Sequence, residues 1–312
     1  MLFFLPITTS YSQIKGCTDR FATNFDPKAT ENNGSCWYDS AKAKPEFSTR
    51  LSDSIIRTSG LIYFEDLLWT QNDHFDSTFY GLDLKGKIKK KVNLTGIKSA
   101  DWEEISQDSL YLYIGDFGNN NQGNRKNLRI LRIQKKSFFT TDPVIDTIAF
   151  SYPNQTDFKL QKANTTNFDC EAFIVIDDAV YLFSKQWSAE KTSIYTLPKK
   201  PGTYVAELKE TIDTQGLITG ATALPSKKGV VLCGYTKFLQ PFILLLYDYQ
   251  NNDFGTGNKR KIKIKLPFHQ IEGITTKDGK LFYLTNEATV RKPFVNTVQQ
   301  IHSIDLSPYL KD

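Results

Sequence analysis

Residues Glu171 to Lys185 read EAFIVIDDAVYLFSK: an acidic residue, a hydrophobic run, an Asp-Asp turn, and a second hydrophobic run that ends in polar residues. The same plan recurs four more times. It appears as SGLIYFEDLLWTQND from Ser59, EEISQDSLYLYIGDF from Glu103, TGATALPSKKGVVLCGYT from Thr219 and EGITTKDGKLFYLTN from Glu272. Counted from the first residue of each copy, the anchor, the tenth residue on is Trp69, Tyr113, Tyr181 or Phe282, and the thirteenth is Asn72, Asp116, Ser184 or Thr285. The copy at Thr219 keeps this register only with an insertion at residues 225–228, in a turn, where extra residues are tolerated. Each copy is two β-strands joined by a tight turn.

A third strand follows each pair, at residues 78–84, 128–133, 193–199, 242–249 and 299–306. A fourth follows in most copies, at 87–94, 146–152, 203–211 and 261–268. Four antiparallel strands repeated about every fifty residues specify a β-propeller, because radial repetition lets each sheet bury both faces against its neighbours. The expected fold is all-β with five blades. Six is the alternative, but loops at 116–127 and 152–169 account for the one long interval. The last copy lacks an outer strand, and the alternating segment FSTRLSDSIIRTS at residues 46–58 is placed to supply it and close the ring.

Composition agrees. The chain has 312 residues, of which 40% are hydrophobic, with 22 Phe and 15 Tyr, which suits strands that pack on both faces. The net charge of +5 is small and dispersed, so no nucleic-acid partner is expected. Lys87, Lys89 and Lys91, and Lys261, Lys263 and Lys265, alternate along outer strands, where lysine protects an exposed edge. The opening MLFFLPITTSYSQ reads as a short secretory signal over residues 1–13, with a buried first strand as the alternative. No segment has the length of a membrane span. Export implies an oxidising compartment, so Cys17 and Cys36 are expected to form a disulfide within a small module at residues 14–40, ahead of the propeller at 46–312. Cys170 and Cys233 lie in strand-like segments and read as buried thiols. Secretion, or a cell-surface or periplasmic location, and a monomer are the expectations.

The inner strand of each blade lines the central channel, so position in the repeat predicts location. The anchors Glu103, Glu171 and Glu272, with Ser59 and Thr219, are expected in a ring at one channel mouth. Asn72, Asp73, Asp116, Lys185, Tyr235, Asn286 and Glu287, from the ends of the second strands, would form a second polar layer. Glu104, Asp101 and Asp169 add charge beside the anchors. Clustered carboxylates repel unless a cation compensates. Lys185, Arg125 or a divalent ion could do so, Ca²⁺ above all given oxygen-only ligands, with Glu103, Asp116, Glu171 and Glu272 as the expected metal set. The bland alternative is a solvated channel whose polar side chains satisfy backbone and water.

Two family resemblances rest on these residues. Gly16 to Asp19, Ala22 to Pro27, Ala29 and Asn33 to Cys36 resemble a short module that recurs in secreted bacterial proteins. Asp101-Trp102-Glu103-Glu104-Ile105, Tyr113 to Asn120 with Arg125, Asp169 to Phe173, Ile218 to Ala221 and Ile271 to Ile274 resemble secreted bacterial phytase-like propellers, a group that is largely uncharacterised. This second resemblance implies a propeller and Ca²⁺ dependence. It does not carry phytase activity, since true calcium phytases crowd basic residues around phosphate and only Lys185 and Arg125 are assigned here.

Three histidines without metal-binding spacing argue against a zinc site. There is no Gly-x-Ser-x-Gly elbow, phosphate-binding loop or dinucleotide fingerprint. The expected function is therefore binding of a small molecule, glycan, protein or ion at the channel mouth. The alternative is a Ca²⁺-dependent hydrolase acting on phosphoesters or, less readily, on glycosides through paired carboxylates.

Overall fold

The structure, a computed structural model, describes residues 13–74, 76–94, 96–224 and 229–310. The expected signal at 1–13 lies almost wholly outside them. Five sheets make five blades. Their inner strands are Thr58–Phe64, Trp102–Gln107, Asp169–Ile176, Leu217–Leu224 and Ile271–Thr276. Each inner strand packs on the next, and the fifth packs on the first, so the ring is closed.

The alternation within each strand explains why the blades stack. Side chains two residues apart share a face, so successive residues serve opposite neighbours. In blade 2, Ile114 packs with Trp69 and Phe79 of blade 1, while Tyr113 packs with Phe173 and Tyr195 of blade 3. Five apolar clusters result, one in each gap between adjacent blades. The aromatic tenth residues Trp69, Tyr113, Tyr181 and Phe282 all lie in these gaps.

The ring closes through the N-terminal segment. Phe47–Arg50 pairs antiparallel with Gln300–Asp305 and becomes the outer strand of blade 5. The Ser48 hydroxyl meets His302 Nδ1 at 2.7 Å, and His302 Nε2 meets Asn286 Oδ1 at 2.8 Å, which ties the added strand through the third strand to the second. Just before it, Ala41–Ala43 adds a fifth, parallel strand to blade 4.

One outer strand differs from expectation. Residues 203–211 are not a single strand of blade 3: Gly202–Val205 pairs in parallel with Ile145–Ser151 of blade 2, and only Glu207–Asp213 completes blade 3. Ala206, whose N–H donates to Ser151 O, is buried where the chain passes between the two sheets. The long interval holds no sixth blade, since residues 152–168 contain no strand.

Cys17 and Cys36 are disulfide-bonded, and Cys170 and Cys233 are separate buried thiols. The segment around the disulfide docks on blade 4. Asp19 accepts hydrogen bonds from the hydroxyls of Tyr38 and Tyr247, Asn32 Nδ2 donates to Asn258 Oδ1, and the Arg260 guanidinium lies over the rings of Phe21, Tyr38 and Tyr309. Asp26 caps a turn of that segment by accepting Lys28 N, and the Asn24 amide bridges to Ser35 O and Trp37 N. No helix among the described residues is long and apolar enough to cross a membrane.

Candidate functional site

A β-bulge occurs at the anchor, or within two residues of it, in every blade. In blade 3, Cys170 pairs with Ser184 and Ala172 with Phe183, so Glu171 is an extra residue with no partner across the ladder. Thr219 and Glu272 are the extra residues of blades 4 and 5. In blade 2 the shift falls at Glu103 and Glu104, and in blade 1 at Gly60 and Leu61. A bulge releases one residue from the pleat and re-aims its side chain. Repeated five times around an axis, it brings the anchors together at one end of the channel.

Serine and threonine anchors tie neighbouring blades: Ser59 Oγ donates to Glu103 O, and Thr219 Oγ1 to Ile271 O. The glutamate anchors instead line a cavity of about 180 Å³. Its wall contains Asp73, Glu103, Glu171, Lys185, Tyr235, Glu272 and Glu287 from the expected set. Ligand atoms of Glu103, Asp169 and Glu171 all lie within 4.8 Å of one another, and all three residues are buried. The Asp169 carboxylate accepts from Asn119 N and from Trp187 Nε1, both at 2.7 Å. Glu171 accepts from Lys185 Nζ, which also lies 4.5 Å from the Trp187 ring and 5.2 Å from the Tyr235 ring.

Glu103 differs from the other two. It is 5% exposed and faces the cavity, yet among the described residues no hydrogen bond or ion pair engages its carboxylate. The chain following Asp116 presses against it: a Cβ on Gly118 would fall 2.0 Å from Glu103 Oε1 and 2.5 Å from Asp101 Oδ2, so a larger residue there would displace both carboxylates. Burial raises the Glu103 carboxyl well above its ordinary range, and Glu171, Asp101, Asp169 and Asp73 push in the same direction. Burial lifts Asp169 to about 6 against the pull of Lys185. It lifts Glu272 to about 8, with Lys185 opposing and Glu287 adding. Lys185 stays charged, because the surrounding carboxylates, Glu171 foremost, outweigh the burial that would lower it.

Five expected residues lie elsewhere. Asn72, Asp116 and Asn286 sit directly opposite Thr58, Trp102 and Ile271, the residues that precede or flank the bulge, and a shift of one residue reverses the face a side chain occupies. Asn72 therefore bonds Arg57 N, Ser54 O and Asp76, and Asn286 bonds His302 and Val298 O. Asp116 is fully buried and paired with both Arg125 and Arg129, so it is not gathered with the metal set. Arg125 is occupied by that pair and by Gly118 O. Glu104 reaches across the axis and accepts from Leu61 N, Ile105 N and Ala221 N. The cavity-facing residues are instead the next ones along: Asp73, Lys185, Tyr235 and Glu287.

Arg57, Gln270, Trp187 and Arg291 also line the cavity and were not anticipated. The first two had a signal. Two residues before the anchors stand Arg57, Asp101, Asp169 and Gln270, on the same face by the period of two. Arg57 pairs with Asp73. Arg291 is carried by a hairpin, Thr289–Arg291 with Val295–Thr297, which among the described residues blade 5 alone possesses and no repeat could announce.

No family model matches the chain, and no curated protein matches it in sequence. Among solved structures it is similar to the PQQ-bound form of aldose sugar dehydrogenase from Streptomyces coelicolor, at 8% identity and a TM-score of 0.49, covering 85% of this chain and 98% of that one. It is also similar to a chain of a mitotic checkpoint complex, at 11% identity and a TM-score of 0.38, covering 79% of this chain and 60% of that one. At such identities the likeness concerns fold alone.

Proposed function

We propose that this is an exported propeller that binds its ligand at the carboxylate-lined channel mouth through a divalent cation, Ca²⁺, held by Glu103, Asp169 and Glu171. The observation that carries this reading is the Glu103 carboxylate: nine-tenths buried, facing the cavity, set among four other carboxylates with Arg57 acting on it only through space, and hydrogen-bonded by no donor among the described residues. A charge in such a place costs free energy unless a cation compensates it. Oxygen-only donors suit a hard ion, and Ca²⁺ takes six to eight oxygens, so three carboxylates leave positions for water and ligand. Tyr235, Arg57 and Arg291 on the same wall would then meet the ligand's polar groups. The segment at 14–40 is read as an accessory module, the disulfide fits an oxidising compartment, and the phytase-like resemblance belongs to this reading.

The test is thermal unfolding with and without Ca²⁺. An ion at one hundred times its dissociation constant stabilises the folded chain by about 2.7 kcal/mol. The expected rise in Tm disappears in Glu103→Gln; an unchanged Tm in the parent protein sinks the proposal.

Glu272 favours a second reading, Ca²⁺-dependent hydrolysis. A carboxyl lifted to about 8 holds its proton at neutral pH and can give it to a leaving oxygen. Turnover of a phosphoester or glycoside panel that is lost in Glu272→Gln would establish it, and no turnover on any member would discard it.

A further inference from the structure

The opposite end of the channel is a second cavity, of about 680 Å³, which shares no lining residue with the carboxylate mouth. The two are divided by the Glu104 knot. Leu61, Ile105 and Ala221, whose N–H groups bind the Glu104 carboxylate, form the floor of the larger cavity. All five inner strands contribute wall residues, among them Ile62, Ser106, Val175, Leu224 and Thr275.

Three features separate this space from a merely wet funnel. Its volume lies within the range of about 300–1,000 Å³ typical of small-molecule sites, whereas the carboxylate mouth can hold only part of such a ligand. About half of its lining residues are apolar, Ile62, Ile105, Val175 and Leu224 among them, and the rest are hydroxyl, amide and charged side chains, a mixed wall that offers both an apolar surface and polar partners to an organic molecule. Its charge is also one-sided where a ligand could use it. Lys135 is the one cationic side chain lining it among the described residues. Its ammonium donates to Gln107 Oε1 at 2.7 Å and lies 4.7 Å from the Phe64 ring. Asp108, on the same wall, is already engaged by Leu110 N, Tyr111 N, the Tyr113 hydroxyl and Lys199. Asp177 stands on the exposed turn at the rim and accepts from Asn252. Asp108 and Glu65 both act on Lys135 through space but neither forms an ion pair with it, so an ammonium half withdrawn from water keeps donors for an anion beside it.

We propose that this end of the channel binds a small amphipathic anion, with its apolar body against Ile62, Ile105, Val175 and Leu224 and its acidic group on Lys135. The site is independent of the carboxylate mouth and of Ca²⁺.

The probe is 8-anilinonaphthalene-1-sulfonate, an aromatic body with one sulfonate, titrated against the folded chain in chelator. One saturable site per chain is expected. Ala223→Trp and Thr276→Trp, which put an indole into the cavity from half-buried positions, should each abolish it; Ala223→Trp removes no hydrogen bond and should retain the Tm, whereas Thr276→Trp also gives up the hydroxyl that bonds Gly279 N and Leu281 O. Lys135→Met should weaken it about tenfold or more. N-phenyl-1-naphthylamine, the same body without the charge, should bind the parent about tenfold more weakly. Phe238→Ser and Phe294→Ser remove the two most exposed aromatic side chains among the described residues, 88% and 86% exposed, and should change nothing. Absence of saturable binding overturns the proposal. So does binding that survives both tryptophans, binding lost with the two phenylalanines, or equal affinity for the uncharged analogue.

Discussion

Glu104 of blade 2 accepts the backbone N–H of Ala221 in blade 4 at 2.8 Å across the propeller axis, while its other oxygen takes Leu61 N of blade 1 and Ile105 N. The corresponding position in the other blades is Gly60, Ala172, Gly220 and Gly273. A Cβ on Gly60 would lie 2.7 Å from Ile105 N and 2.8 Å from Glu104 Oε1. One glutamate thus fills the axial space that four small residues leave, and satisfies N–H groups on the inner edges of three blades, where no further strand pairs with them. Burial pushes its carboxyl well above the ordinary range, and the three N–H groups pull it back. Glu104→Ala leaves three buried donors without an acceptor, at about 1–3 kcal/mol each. Glu104→Gln sets an amide donor against one of them and should lose about 2 kcal/mol. Urea unfolding measures both. A glutamine variant as stable as the parent would show that the axis is not held this way.

Glu103 and Asp116 stand in neighbouring environments with opposite consequences. Asp116 is buried between two arginines, so Asp116→Asn breaks a compensated pair and should cost about 3 kcal/mol. Glu103 forms no ion pair and stands among four carboxylates, with Arg57 acting on it only through space, so Glu103→Gln should raise stability in chelator by about 0.5–2 kcal/mol, the gain expected when a functional site's strain is removed. Melting the two variants side by side in EDTA checks the contrast. Destabilisation by Glu103→Gln would mean that its carboxylate is engaged within the apo protein.

The blade plan was legible because it rests on local signals repeated five times: an alternation of two, a turn, and an aromatic at a fixed offset. The anchors Glu103, Glu171 and Glu272 could be placed at one mouth for the same reason. What could not be read was the side of the sheet taken by the residues opposite them. The bulge shifts the register by one, so Asn72, Asp116 and Asn286 turn into the blades, while Asp73, Lys185 and Glu287 turn to the cavity. No composition rule reports a one-residue slip. The docking of Gly202–Val205 onto blade 2, and the Arg291 hairpin, are long-range or unrepeated features and left no periodic trace.

The latch of the closing strand should be acid-sensitive. His302 is fully buried between Ser48 and Asn286, and burial, with His269 adding, pushes its imidazole down to about 3 from an unfolded value of 6.5. Below 6.5 the unfolded chain takes up a proton that the folded chain refuses. The stabilisation is therefore whole above 6.5 and is lost as pH falls toward 3, at about 1.4 kcal/mol per pH unit where the two states differ by a full proton. His302→Leu forgoes both hydrogen bonds and lowers Tm at pH 7, yet the gap to the parent should narrow between pH 6 and pH 4. A gap that stays constant over that range would exclude His302 as the titrating group.

The segment at 14–40 is held by different means from the blades, and this predicts separate loss. Its disulfide closes a loop with a sequence separation of 19 residues, worth about 3 kcal/mol to that segment. Its docking on blade 4 depends on Asp19, which receives hydroxyls from both Tyr38 and Tyr247, and on Arg260 stacked among three rings. The blades draw their stability from the five apolar gaps, which contain no residue of 14–40. Reduction by a thiol combined with Arg260→Ala should expose 14–40 to limited proteolysis, with the main melting transition of the blades nearly unchanged. Cleavage products read by mass would end between residues 14 and 40. A single cooperative loss of the whole chain under those conditions would instead make the segment an integral part of the propeller, bound to it through the Ala41–Ala43 strand that follows directly.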